Sequence, residues 1–319
     1  MIKKVIKIIG AFLAIVLLVG GIVGAIFYSK LTKIEPNTSA GFYSPYYLFD
    51  PGNLDASKEV FILVMPNNTG RPDDDPWIHE RKVLTRILGD QSYAKDLNVL
   101  LLVPVFPRVM SNWRVYTHAL DRDVFLTSDQ VLGGLDKQLV AMIDDARNKY
   151  REKGIQVSEK VLMAGFSASA MFTNRFTILH PDRVQATAIG SPGGWPVLPV
   201  QEWKGDSLFY PVGIADLDTL AGVSFKTELF NEVEQYFYLG DQDENDAVQY
   251  GDGYDDRERE LVYTHFGKNM VGRWEIAEQV YDSVGSKAQF KLYPNIGHDR
   301  TADMNKDIKA FFKKAMENH

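Results

Sequence analysis

The sequence predicts an α/β protein with a mostly parallel sheet and helices on both of its faces. Short apolar runs alternate with longer amphipathic stretches, which is the order of elements expected for a parallel sheet. The apolar runs are continuous, as in strands that are buried on both faces. With 45% hydrophobic and 24% charged residues, the composition is that of a globular protein.

Six apolar runs are predicted to be strands, at residues 60–64, 99–103, 161–164, 186–189, 236–239 and 290–293. Between them, residues 135–150 and 258–284 have the period and length of helices. Further helices are predicted at 171–180 and at the C terminus. Functional groups in such sheets gather beyond the carboxyl ends of the strands, so we expect the site at these endings.

The N terminus predicts a membrane anchor over residues 1–30. Lys3, Lys4 and Lys7 precede an uncharged run at 8–28, which as a helix spans the ~30 Å hydrocarbon core of a bilayer. A cleaved signal peptide, which would leave a secreted protein, is the alternative, but its apolar region is only ~7–15 residues long. The leading lysines favour a cytoplasmic N terminus, so we expect the folded domain outside the cytoplasm, tethered to the cell membrane.

The rest of the chain divides into a short segment and one domain. Residues 31–58 carry turn-forming residues and tyrosines, and are predicted to be a stalk that packs on the domain edge. The domain proper is predicted at 59–319. Within it, residues 196–234 are too long for a simple connection, which predicts a cap or lid.

Charge and cysteine content exclude several classes of function. The net charge is −7 and no basic stripe follows the N terminus, so a nucleic-acid partner is not expected. The absence of cysteine excludes disulfides, thiolate metal sites, a cysteine nucleophile and a lipidated cysteine anchor. Any nucleophile must therefore be an oxygen or an amine.

The strongest chemical signal is the segment Gly165-Phe166-Ser167-Ala168-Ser169, between a predicted strand and a predicted helix. Small residues two before and two after the serine permit the sharp turn of a nucleophile elbow. That turn exposes the serine oxygen and directs the Ala168 N–H at a developing oxyanion. The alternative is that Ser167 only caps the helix. Ser191 is a weaker candidate nucleophile, because Pro192 has no N–H to donate.

His298 is the predicted base among six histidines. It follows the last predicted strand and precedes the terminal helix, so its loop can bring the imidazole to Ser167. The alternative is a solvent-exposed loop histidine. His118 lies among two acids and an arginine and is the main rival, but it is far from the nucleophile segment, so we interpret it as structural or substrate-gating.

Three aspartates follow the fifth predicted strand and are candidates for the acid that orients the histidine. Asp243 is preferred because Gly240, three residues earlier, lets the loop turn back over the sheet edge; Asp246 ranks second and Asp241 third. The alternative is a solvated or calcium-like acidic loop. No EF-hand spacing is present, so no metal is predicted.

The chain order of serine, aspartate and histidine, each after a strand, resembles the α/β-hydrolase superfamily from about Glu59 to the C terminus, in particular its esterase and polyhydroxybutyrate-depolymerase-like branches. The resemblance implies the fold, the triad roles of Ser167, Asp243 and His298, and hydrolysis of an ester or related acyl bond, for which no cofactor is expected. The sequence departs from the commonest form of the motif at Ser169, where glycine is usual.

The same resemblance implies a second oxyanion donor in the loop after the first predicted strand, from Asn67 or Asn68. These residues are also typical of a simple turn. Phe106 and Trp195, which follow the second and fourth strands, are expected either to line an acyl pocket or to pack the domain.

We therefore expect a membrane-anchored, extracytoplasmic serine hydrolase, a carboxylesterase, acting on a small-molecule, lipid or polymer ester. The alternative is an inactive hydrolase-like domain that serves as a binding or scaffold protein of the cell envelope.

Overall fold

The fold is built on one large sheet. A computed structural model of the protein describes residue 18 and residues 20–22 and 24–318. The strands are β1 (Leu31–Ile34), β2 (Tyr46–Phe49), β3 (Phe61–Val64), β4 (Val99–Pro104), β5 (Val161–Phe166), β6 (Val184–Gly190), β7 (Glu202–Trp203), β8 (Asp206–Ser207), β9 (Glu234–Gly240) and β10 (Ala288–Tyr293). Eight of them form the sheet, in the order β1-β2-β4-β3-β5-β6-β9-β10, while β7 and β8 form a separate ribbon.

Helices connect the strands. They are α1 (Pro76–Leu97), α2 (Asp123–Leu126), α3 (Leu135–Arg151), α4 (Ala168–Leu179), α5 (Leu217–Leu220), α6 (Thr227–Glu232), α7 (Asp256–Phe266), α8 (Met270–Ser283) and α9 (Ala302–Glu317). Short 3-10 helices lie at Thr117–Ala119, Pro181–Arg183 and Ala247–Gln249.

The sheet is mostly parallel and brings its strand ends to one edge. Strands β4, β3, β5, β6, β9 and β10 run parallel, whereas β1 and β2 are antiparallel to their neighbours. Phe166 lies opposite Gly190, Gly190 opposite Tyr238, and Gly240 opposite Tyr293. The loops that follow β5, β6, β9 and β10 therefore start side by side.

Helices cover both faces of the sheet, each over its own hydrophobic core. One core joins the sheet to α1 and α9, through residues such as Ile87 and Phe312. The other joins it to α3, α4 and α8, through residues such as Ile143, Phe172 and Trp274. All residues of β2 to β4 are buried, as expected from their continuous apolar sequences.

Two regions differ from the sequence prediction. Residues 31–58 are more than a stalk, because they contribute β1 and β2 to the sheet. Residues 258–284 do not form one helix. The first helix, α7, ends at Phe266, and Gly267 follows it with a φ of +77°. Asn269 then caps the start of α8 by accepting from the Gly272 N–H. The apolar period continues across this break, which is why the sequence pattern hides it.

The predicted membrane span at residues 8–28 lies largely outside the described residues. Among the residues that the structure does describe, no helix is long and apolar enough to cross a membrane. The described chain contacts the sheet from Phe27 onward: this ring is buried and stacks on Phe49 in β2, with 6.0 Å between the ring centroids.

Substitution of Gly240 tests how tightly the end of β9 is packed, and Gly89 provides a control. A Cβ on Gly240 would lie 2.1 Å from the Ile296 carbonyl oxygen, whereas a Cβ on Gly89, inside α1, would meet nothing within 4 Å. We expect Gly240→Ala to lower the free energy of unfolding by roughly 1–3 kcal/mol through overpacking. Gly89→Ala should raise it by about 1 kcal/mol through helix propensity. Urea unfolding measures both, and a neutral Gly240→Ala would contradict this packing.

Candidate active site

Ser167 occupies a strained turn between β5 and α4. Its φ of 60° and ψ of −130° lie outside the regions that L-residues favour, which costs on the order of 1–3 kcal/mol. The Ser167 N–H donates to the Gly190 carbonyl at 2.9 Å, which ties the turn to β6. A Cβ on Gly165 would lie 2.1 Å from the Ser169 carbonyl oxygen, so only glycine fits there.

Ser169, the departure from the usual motif, is built into this turn. Its side chain is buried, and its hydroxyl accepts from the Phe166 N–H at 3.0 Å and donates to the Phe166 carbonyl at 2.9 Å. The hydroxyl therefore braces the backbone on the strand side of Ser167. Ala168 is the first residue of α4, where backbone N–H groups have no partner within the helix.

His298 contacts one of the three candidate aspartates. Its Nδ1 lies 2.9 Å from Oδ2 of Asp243, whose other oxygen accepts from the Asn245 N–H at 2.9 Å. The Asp243 side chain is buried. Burial raises the pKa of this carboxyl, but the hydrogen bonds from His298 and Asn245 outweigh burial and leave the pKa below its usual value. Asp243 is therefore ionised at neutral pH.

The other two aspartates have different partners. Asp246 forms an ion pair with the buried Arg273 and caps the 3-10 helix by accepting from the Val248 N–H at 3.0 Å. Asp241 accepts from the Asn295 N–H at 2.7 Å. Both hold loops in place rather than contacting His298. Within the described chain, no group of three or more acidic or histidine residues could hold a metal ion.

Gly240 explains how the two loops meet. Its missing side chain lets the loop after β9 pass against the loop after β10, where the Gln242 N–H donates to the Ile296 carbonyl at 2.9 Å. This contact places Asp243 beside His298. The glycine that favours Asp243 among the three aspartates therefore has a steric reason for its position.

The second ring nitrogen of His298 contacts Asn245. Because the ionised Asp243 can only accept, Nδ1 carries a proton, and in the neutral imidazole Nε2 is then the acceptor. Nε2 lies 2.9 Å from the Asn245 amide nitrogen. Among the described residues, no hydrogen bond joins His298 to Ser167. Both Asn245 and Ser167 line the same cleft.

This cleft has a volume of about 500 Å³. Its floor includes Ser167 and Ala168, and its rim carries two exposed aromatic side chains, Trp113 and Tyr250. The remaining lining residues are Asn68, Gly70, Arg108, Tyr116, Met171, Gly193, Asn245, Ala247, Gly251 and Asp252. The aromatic rim comes from loops that carry no strand or helix signal, so the sequence alone does not indicate it.

The two asparagines of the predicted oxyanion loop have separate roles. The Asn67 side chain is buried, donates to the Phe106 carbonyl at 2.8 Å and accepts from the Phe106 N–H at 3.2 Å. It therefore joins the loop after β3 to the loop after β4. Asn68 lines the cleft, and its side-chain oxygen accepts from the Gly70 N–H at 3.0 Å.

His118, the rival base, is a structural residue. It is buried, and its Nε2 lies 2.9 Å from the Phe106 carbonyl oxygen. Burial lowers its pKa to about 3, so it stays neutral at physiological pH. Its Nδ1 accepts from the Thr69 N–H at 3.4 Å, and the Thr69 hydroxyl contacts His79 at 2.7 Å. These contacts hold the loop that carries Asn67 and Asn68 in place.

Phe106 and Trp195 do not line the cleft, which corrects the expectation that they would form an acyl pocket. Both are buried: Phe106 stacks on Phe172 at 5.8 Å between centroids, and Trp195 packs on Phe266 at 4.4 Å. Their loops do reach the cleft, through Arg108 and Gly193. The two rings instead take the alternative expected role of packing the domain, because a large ring beside a strand end gains most by joining the core.

The predicted cap, residues 196–234, forms the β7-β8 ribbon and the short helices α5 and α6. It packs against α7, where the Arg257 guanidinium lies 4.1 Å from the centre of the Phe209 ring. All of this segment is described, and none of its residues lines the cleft at Ser167.

No family model and no curated protein matches the chain. Solved structures do. Over 89% of this chain and 90% of that one, it aligns with LpqC, the poly(3-hydroxybutyrate) depolymerase from Bordetella parapertussis, at a TM-score of 0.56 and 17% identity. Poly(aspartic acid) hydrolase-1 from Sphingomonas sp. KT-1 aligns at 0.53 and 19%, covering 84% and 92% of the two chains. The chain has the α/β-hydrolase fold.

In the α/β-hydrolase fold, a nucleophile elbow joins a central strand to a helix, and the acid and base follow it in chain order. This chain has its strained serine between β5 and α4, and the paired Asp243 and His298 after β9 and β10. TT1662 from Thermus thermophilus also shares the architecture, with a TM-score of 0.50 and 16% identity over 90% of this chain and 98% of its own.

Substitutions of Asn67 and Asn68 test their separate roles, Asn67 as a buried link between two loops and Asn68 as a residue of the cleft. Asn67→Ala leaves the buried Phe106 N–H without its acceptor, so the free energy of unfolding should fall by about 1–3 kcal/mol. Asn68→Ala removes a cleft residue and should change it by less than about 0.5 kcal/mol. Urea unfolding of the two variants measures the difference. Equal losses would show that the loop does not depend on the Asn67 amide.

Proposed function

We propose that the protein is a serine hydrolase that cleaves carboxylic esters through Ser167, His298 and Asp243. The observation that carries this proposal is the His298–Asp243 pair, which lies at the same sheet edge as the strained Ser167. A serine held at positive φ at the end of a strand costs free energy, and such strain is concentrated at functional sites. A buried carboxylate paired with a partly exposed histidine is the arrangement of a general base.

The proposed reaction has two steps. In the first, His298 Nε2 accepts the proton of the Ser167 hydroxyl while the oxygen attacks the ester carbonyl. The resulting oxyanion is stabilised by the Ala168 N–H, with a second donor from the loop at Asn67 and Asn68. His298 then protonates the leaving alcohol, which departs and leaves an acyl-enzyme. In the second, water attacks the acyl group with His298 again as base, releasing the acid and restoring Ser167.

Asn245 sets the resting state of this base. Its amide nitrogen lies at His298 Nε2, the atom that must accept the Ser167 proton. The amide stabilises the neutral tautomer with the lone pair on Nε2, which is the form that a base requires. In the proposed reaction, substrate entering the cleft displaces the amide and Nε2 turns to Ser167, because catalytic hydrogen bonds often form only in the substrate complex.

The named activities of the structural neighbours are consistent with acyl transfer to water. One is a depolymerase of poly(3-hydroxybutyrate), a polyester, and the other a hydrolase of poly(aspartic acid), a polyamide. Both bond types react through a tetrahedral oxyanion. We propose an ester for this chain, because an alkoxide leaves with less proton transfer from His298 than an amine requires.

Substitution of the triad tests the proposal. Ser167→Ala and Asp243→Asn should each lower kcat/KM for p-nitrophenyl acetate by ~10⁴-fold or more, since the first removes the nucleophile and the second the group that fixes the histidine tautomer. Asp241→Asn, on the same loop, is the matched control and should retain activity. All three should melt near the parent temperature.

A fluorophosphonate probe provides a second readout. It should modify Ser167 in the parent protein and leave Ser167→Ala unlabelled. Well-folded parent protein that neither hydrolyses esters nor takes the probe would support the alternative of a binding scaffold.

We also propose that the N-terminal segment anchors the domain to the outer side of the cell membrane. The support is the uncharged run at residues 8–28 with lysines ahead of it. Because the chain has no cysteine, a single introduced thiol reports its own side of the membrane. Ala56→Cys, at an exposed position, should react with a membrane-impermeant maleimide on intact cells. Lys4→Cys should react only after permeabilisation, and the reverse pattern would contradict this orientation.

A further inference from the structure

We propose that the ester is carried by a neutral, hydroxyl-rich ring, such as a sugar unit, whose hydroxyl is the leaving group. Hydrolysis would then convert an acylated sugar and water into the free sugar hydroxyl and the carboxylic acid. This inference rests on the proposed function and names the substrate class for the same cleft. Three features of the lining carry it.

The first feature is the aromatic rim. Trp113 is 44% exposed and Tyr250 56% exposed, and both line the cleft that contains Ser167. Large aromatic side chains usually gain stability by burial, so two exposed rings at one cleft indicate a ligand surface. A sugar ring presents C–H groups on its faces and hydroxyls around its edge. Its faces can therefore pack on these rings while its hydroxyls remain free for hydrogen bonds.

The second feature is a charged pair in the wall of the cleft. Arg108 is only 5% exposed, forms an ion pair with Asp252, and stacks on the Tyr116 ring with 3.6 Å to its centroid. The buried Nε of Arg108 has no hydrogen-bond partner within the described chain. The guanidinium only donates and the carboxylate only accepts, so together they match hydroxyl groups, which do both.

The third feature is the charge balance. Arg108 and Asp252 are the only charged side chains in the described lining, and their charges cancel. A polyanionic substrate such as poly(aspartic acid) would require cations without acidic partners, since a desolvated carboxylate needs a compensating charge. The other polar side chains include the amides of Asn68 and Asn245 and the hydroxyls of Tyr116 and Tyr250, all of which can both donate and accept hydrogen bonds. The volume of about 500 Å³ lies within the range of small-molecule sites.

The comparison of two acetate esters tests the inference. 6-O-acetylglucose and ethyl acetate carry the same acyl group and differ in the leaving alcohol. The parent protein should hydrolyse the sugar ester with the higher kcat/KM. Trp113→Ala should lower the ratio of the two kcat/KM values by about 10-fold, through a higher KM for the sugar ester, because it removes the stacking surface. Trp77→Ala, a 54% exposed tryptophan in α1 outside the cleft, is the control and should leave the ratio unchanged.

The outcomes separate this inference from the proposed function. If a fluorophosphonate labels Ser167 but the sugar ester is no better than ethyl acetate, or Trp113→Ala affects both equally, the sugar inference is overturned and the hydrolase stands. Faster hydrolysis of a carboxylate-bearing ester, such as monoethyl succinate, would overturn it in favour of an anionic substrate. Absence of labelling at Ser167 in folded protein would instead overturn the proposed function itself.

Discussion

The backbone conformation of Ser167 is the constraint on which the site depends. A serine at a φ of 60° persists only where its surroundings exclude alternatives, and three neighbours do so here. Gly165 admits the Ser169 carbonyl at a distance that no side chain would allow, the Ser169 hydroxyl braces the Phe166 peptide, and Gly190 accepts from the Ser167 N–H. The strain is therefore maintained by β5, β6 and α4 together.

The same principle of close backbone approach operates at the other half of the site. Gly240 lets the loop after β9 contact the Ile296 carbonyl, and this contact holds Asp243 against His298. Each half of the site therefore needs a glycine at the end of a strand, Gly165 in β5 and Gly240 in β9. The reason is steric, because a side chain at either position would clash with backbone atoms. The parallel register then places the two halves along one edge of the sheet.

Much of this arrangement can be predicted from sequence, since it follows from local patterns. Continuous apolar runs predict the central strands, and the residues after them predict Ser167 and the loops of Asp243 and His298. Whether an aromatic side chain lies in the core or in the cleft cannot be predicted in the same way. Phe106 and Trp195 are aromatic residues of the kind that line binding sites, but both are buried in the core. Trp113 and Tyr250 lie in irregular loops, whose course is set by tertiary contacts alone.

The different environments of the two candidate histidines also cannot be predicted from the sequence. His118 and His298 both follow strands and both have acids nearby in the sequence, yet burial separates them. His118 is enclosed by the backbone of two loops and is held neutral, whereas His298 is partly exposed beside an ionised carboxylate. Sequence indicates which groups are near one another, but desolvation decides which of them can exchange a proton.

The position of residues 196–234 has a consequence for the range of substrates. Because this segment packs on α7 and lines no part of the described cleft, it does not cover Ser167. We therefore expect the proposed hydrolase to accept an ester at an internal position of a polymer as well as at its end.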